Sequence, residues 1–173
     1  MSEEQAGNGL PSTLEPMFEA NSLDGDPTAL RERLAQDGYV LFRDVIDTAK
    51  LRSLRARITE VLADLGWIEG GRDRDLAKPR VLAVREGEDR YFEASDRLVG
   101  IEELYSLPHD RDLQALMRAA LGESVFPHPL SIIRLVFPEH PEITTPPHQD
   151  FRNNQGTVDL TATWSPLADV PMD

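Results

Sequence analysis

The stretch Thr145-Pro146-Pro147-His148-Gln149-Asp150-Phe151, followed by Gln155-Gly156-Thr157 and by Thr163-Trp164-Ser165-Pro166-Leu167-Ala168-Asp169-Val170-Pro171, decides how this chain is read. Two prolines fix the backbone ahead of His148, and residues before proline are driven toward extended conformations. In an extended segment residues i and i+2 point to the same side. His148 and Asp150 are therefore expected to project together into a sheet interior, with Gln149 turned away. One imidazole nitrogen and one carboxylate oxygen on the same side form two adjacent corners of a metal site, as in the two-histidine, one-carboxylate arrangement of non-haem iron(II). The same spacing also suits a structural salt link or an exposed loop.

The His-x-acid triplet is not specific in itself. The chain holds four histidines, His109, His128, His140 and His148, and 31 acidic residues. Chance alone gives about 0.7 such triplets. A second one, His140-Pro141-Glu142, lies in a polar stretch and reads as an exposed loop.

Outward from this stretch, the texture of the chain changes near Ser124. Beyond it prolines stand at 127, 129, 138, 141, 146 and 147. Ser131–Phe137 is rich in β-branched and apolar residues. Thr157–Trp164 alternates Val158, Leu160, Ala162 and Trp164 with Thr157, Asp159, Thr161 and Thr163, the period of a strand.

Before Ser124 the signals are helical. Asp26-Pro27 is a capped start, Leu30 and Leu34 share a face, and Gly38 closes the helix. Tyr39-Val40-Leu41-Phe42 then reads as a short strand. Thr48–Leu65 is a longer helix, with Leu51, Leu54, Ile58, Val61, Leu62 and Leu65 on one face and Gly66 at its end. Glu69–Asp75 reads as a surface loop, Val81–Val84 as a short strand, and Asp110–Leu121 as a helix stopped by Gly122. Helices first and strands afterwards predict an α+β protein. Residues 1–25, broken by Gly7, Gly9, Pro11, Pro16 and Gly25, are expected to be a flexible acidic tail.

Composition narrows the function classes. The 173 residues are 40% apolar and 28% charged, with 18 basic against 31 acidic residues and a net charge of −13. Such a surface repels phosphate backbones, so neither nucleic acid nor an anionic membrane is an expected partner. There is no cysteine, which removes a disulfide framework, a zinc-thiolate site and a cysteine nucleophile together. No apolar run approaches the roughly 20 residues of a membrane span. The N-terminal residues lack the basic start and apolar core of a signal peptide. A cytoplasmic location is the resulting expectation.

The segment 145–171, together with Asp37-Gly38-Tyr39-Val40-Leu41-Phe42-Arg43-Asp44-Val45 and the long helix after it, resembles the phytanoyl-CoA dioxygenase family of iron(II)- and 2-oxoglutarate-dependent oxygenases. The resemblance spans most of residues 30–171; the part from 145 onward is specific and the part from 70 to 125 is not. It implies a double-stranded β-helix, or jelly roll, with the N-terminal helices packed on it. It implies Fe(II) held by His148 and Asp150, with 2-oxoglutarate as co-substrate. Trp164 matches a position lining the 2-oxoglutarate pocket, and Arg134 is a candidate for the same pocket. The implied reaction couples decarboxylation of 2-oxoglutarate to hydroxylation of a small organic substrate by molecular oxygen. A carboxylate at 150 favours hydroxylation, since halogenating relatives carry a small residue there.

The chain departs from the family pattern in one respect. The second iron-binding histidine and the arginine that grips 2-oxoglutarate follow the Trp-x-Pro-Leu segment in the family, and no residue here matches either. A jelly roll also needs about eight strands, more than the candidates after 124. Residues 26–173 are therefore expected to be the N-terminal portion of one oxygenase domain, inactive by itself and monomeric or weakly dimeric. The competing expectations are a non-catalytic binding or scaffold protein of the same fold, a cupin-like site that adds His140, and a metal-free structural domain.

Overall fold

The computed structural model describes residues 17–23, 25–68, 84, 85, 87–136, 148–154, 157 and 159–170. Its regular structure is helical: α1 Pro27–Asp37, α2 Thr48–Asp64, α3 Asp89–Leu98, α4 Glu102–Ser106, α5 Arg111–Leu121 and α6 Asp150–Asn154, with 3-10 turns at Ala20–Leu23 and Leu107–His109. The chain divides into two compact units, one of residues 1–45 with 115–125 and one of residues 46–114 with 126–173.

In the first unit α1 is set by its ends. Asp26 accepts a hydrogen bond from the Ala29 amide at 3.1 Å, and Pro27 fills the first helical position where no amide donor is needed. At the other end Gly38 turns left-handed, φ 77°, and donates its amide to the Leu34 carbonyl. That backbone strains any side-chain-bearing residue. Leu30 is buried. Arg31 donates through Nε to the Ala119 carbonyl at 2.9 Å, satisfying one of the open carbonyls at the end of α5.

Tyr39–Phe42 does not become a strand. It makes one isolated parallel bridge, Glu19 with Leu41. Asn21 extends the contact with its side chain, which donates to the Arg43 carbonyl at 2.9 Å and accepts from the Arg43 amide at 2.8 Å. The Arg43 guanidinium in turn meets Glu19 at 2.8 Å. A side-chain amide thus occupies both backbone groups of residue 43.

The second unit holds the larger core. Leu54, Ile58 and Leu62 of α2 are buried one turn apart, together with Trp67, Val84, Ala94, Leu98, Ile101 and Leu104. These positions are the apolar face expected for the helix at 48–65, so burial holds α2 in place. Helix α3 contributes Ala94 and Leu98, and Arg97 pairs with Asp64 of α2 at 3.1 Å. Sequence reading did not anticipate α3 or α4, whose apolar stripes are only two or three residues deep.

The α+β jelly roll is overturned: no β-strand forms among the described residues. In residues 131–136 exposure alternates, with Ile133 and Leu135 against the core and Ile132 and Val136 outward. The chain has the side-chain period of a strand, and no ladder forms on it among the described residues. Residues 159–164 are irregular and mostly exposed. Of the expected strand at 81–84 only Val84 is described, and it sits in the core. The loop at 69–75 and the first 16 residues lie outside the described residues. Among those described, no helix is long and apolar enough to cross a membrane.

The helix start at Asp110 carries the one buried carboxylate among the described residues. Its Oδ1 accepts from the amides of Asp112 at 2.9 Å and Leu113 at 3.2 Å, capping α5. Its Oδ2 meets Nζ of Lys50, in the first turn of α2, at 2.5 Å. The lysine hydrogen bond and the two amides hold the Asp110 carboxyl below its ordinary value, against the opposing effect of burial. Lys50 is raised by the same hydrogen bond and by the charge behind it. The Asp110 contribution is therefore complete above the unfolded carboxyl value of 3.8 and is lost as pH falls through the lower folded value. The Lys50 contribution is complete below 10.5 and is lost as pH rises through its raised value. Asp110→Ala should cost about 2 kcal/mol at neutral pH, from the lost cap and charge-assisted bond. Denaturant melts at pH 7 and pH 3 should show a smaller acid-induced loss in the variant than in the parent. An equal loss in both contradicts this assignment.

Candidate functional site

His148 and Asp150 do come together. His148 Nε2 lies 3.2 Å from Asp150 Oδ1. The route differs from the expected one. Residues 148 and 149 carry no regular structure, and α6 begins at Asp150 itself. The Arg152 amide donates to the Gln149 carbonyl at 3.2 Å, closing the first turn. A fully extended chain separates the backbones of i and i+2 by roughly 6.6 Å. Bending at Gln149 draws the two side chains into contact. They do not point into a sheet interior: each side chain is about one-third exposed, 34% and 36%.

The donor set suits a divalent cation of the first transition row, one neutral imidazole nitrogen with one carboxylate oxygen. Two donors each about 2.1 Å from a shared metal stand roughly 3.0 Å apart at right angles and 3.4 Å apart in a tetrahedron. The 3.2 Å separation lies between these limits, so both atoms can reach one ion with little movement. Among the described residues no group of three or more His, Asp or Glu side chains surrounds such a position. Among the described residues the pair therefore offers two donors, the geometry of one edge of such a site.

Trp164 is 72% exposed. Arg134 is exposed on the outward side of residues 131–136. A residue lining an enclosed co-substrate pocket is mostly covered, and Trp164 is not. His140 lies outside the described residues. His128 has a local role: its Nδ1 accepts from the Leu130 amide at 3.1 Å. That bond requires Nδ1 unprotonated and shapes the turn leading into residues 131–136.

Comparisons with protein-family models, with curated proteins and with solved structures find no match to this chain. The assignment of a function therefore rests on the sequence resemblance and on the His148–Asp150 geometry.

A hydrogen-bonded contact between two partly exposed side chains contributes little to folding, since solvent competes for it and ordering two side chains costs entropy. If the pair serves a ligand, its removal should leave the fold intact. His148→Ala and Asp150→Ala should each change unfolding free energy by less than about 0.5 kcal/mol. Chemical denaturation measures this; a loss of about 2 kcal/mol or more would make the pair a structural link instead.

Proposed function

We propose that this chain supplies one edge, His148 and Asp150, of the metal centre of a non-haem iron(II)- and 2-oxoglutarate-dependent dioxygenase that hydroxylates a small organic substrate. The single observation that supports the reading is the 3.2 Å approach of Nε2 and Oδ1, at the two residues that the family resemblance selects. Fe(II), when bound, supplies the activation of molecular oxygen that no side chain in the chain provides. The protein's part is to present the donors. Asp150 contributes charge, which neutralises part of the cation. His148 contributes a nitrogen donor only when that nitrogen is unprotonated, so proton and metal compete for it.

The bend at Gln149, closed by the Arg152 amide, brings together the two side chains that would hold the ion. Trp164 and Arg134 remain proposed contacts for 2-oxoglutarate. Their exposure means that such a pocket would have to form around them. A non-catalytic binding protein is the second reading, favoured by the lack of a third donor among the described residues; succinate formation would exclude it.

Anaerobic calorimetric titration of the intact chain with Fe(II) should find one weak site. His148→Ala and Asp150→Ala should each weaken it by at least about tenfold, since each removes one of the two paired donors. Equal binding in the parent and both variants would overturn the assignment. Two donors should not sustain turnover, so the chain is expected to form no succinate from 2-oxoglutarate. Succinate formation would show a complete centre, and binding in the Fe(II) titration without turnover would fit either reading of the same edge.

A further inference from the structure

The chain around residue 128 reads Phe126-Pro127-His128-Pro129-Leu130, a histidine between two prolines. It leads directly into residues 131–136, where Ile133 and Leu135 pack on the core. Pro129 has no amide hydrogen, so the Leu130 amide is the first donor after the ring. That amide donates to His128 Nδ1 at 3.1 Å. An Asn or Asp side chain makes the same bond, to the amide two residues on, with its oxygen in an Asx turn. The imidazole differs in one respect: the nitrogen that accepts is also the one that takes a proton.

From this bond we infer that His128 is a proton-operated latch on the chain entering residues 131–136. The proposal is independent of the metal reading. The neutral ring, with its hydrogen on Nε2, holds the turn. A proton on Nδ1 sets two donors against each other and breaks the bond. The latch is therefore closed at higher pH and opens as pH falls through the range in which histidines change charge. The ring is exposed, so a proton reaches it without disturbing the core.

Among the described residues no charged side chain lies within hydrogen-bond or ion-pair reach of the ring. The nearest along the chain are Glu123 and Arg134. No carboxylate is therefore in place to hold the imidazolium where the neutral ring sat. The prolines direct the effect of release. They fix φ at 127 and 129 in either state, so the freedom gained falls on Leu130 and the residues after it. These are the residues that carry Ile133 and Leu135 onto the core.

Long-range nitrogen–proton spectra of the intact chain without added metal, between about pH 8 and pH 5, test the latch. At the upper end His128 should be the Nε2–H tautomer, and the Leu130 amide shift should follow the ring to the same midpoint. Release of the next segment can be read at a single thiol, because the chain has no cysteine. Leu135→Cys, measured relative to the exposed Ile132→Cys, should react with dithiodipyridine about fivefold faster in the acid form than in the neutral form. His128→Asn keeps an acceptor at every pH and should abolish that change, which separates His128 from the other three histidines. His128→Ala has no acceptor and should give the faster relative rate throughout. An Nδ1–H tautomer in the neutral ring, or a Leu130 amide that ignores the ring, overturns the proposal. So does equal relative reactivity at both ends of the range, or an acid change that survives His128→Asn.

Discussion

The burial of one carboxylate organises the start of two helices. Asp110 satisfies its own charge only by accepting two amides at the head of α5 and the ammonium of Lys50 from the first turn of α2. A carboxylate removed from water without such partners costs several kcal/mol. The position therefore tolerates one arrangement: α5 must begin at Arg111, and the first turn of α2 must present Lys50. The helix then runs to Leu121 with its apolar residues on one side. The solvent-exposed stem of Lys50 makes the pair accessible to water at one end only, which is why the exchange of either partner is felt chiefly through Asp110.

The core of the second unit is built mainly from helices. Leu54, Ile58 and Leu62 supply a continuous face, and Trp67, Ala94, Leu98, Ile101 and Leu104 close around it. Ile133 and Leu135 add to it from an extended chain. Among the described residues it buries apolar surface without a sheet, while leaving Phe126, Val136 and Trp164 more than two-thirds exposed. Scattered apolar exposure is ordinary on a protein surface. At Val136 it follows the alternation of residues 131–136, whose other side packs on the core.

The helices that sequence alone made legible are those with local punctuation. Asp26-Pro27 and Gly38 bracket α1, Asp47 caps α2, and Asp110 caps α5; each signal acts within a few residues. Helix α3 escaped notice because its buried positions are only Ala94 and Leu98. The strands failed for a different reason. A strand is completed by a partner remote in sequence, so Ser131–Phe137 and Thr157–Trp164 can carry the right period without making a ladder among the described residues. At the candidate site the residue pair was legible and its backbone was not. The prolines at 146 and 147 suggested an extended segment, whereas a turn at Gln149 and the start of α6 at Asp150 bring the two side chains into contact.

The central functional claim is that His148 and Asp150 bind the same ion. Iron-mediated oxidative cleavage reads this directly, since bound Fe(II) with ascorbate and oxygen damages the chain near where the metal sits. Mass spectrometry of the treated intact chain should place cleavage and side-chain oxidation within a few residues of 148–150, and excess Zn(II) should suppress it. Damage spread evenly along the chain, or concentrated at His109 or His128, would contradict the account.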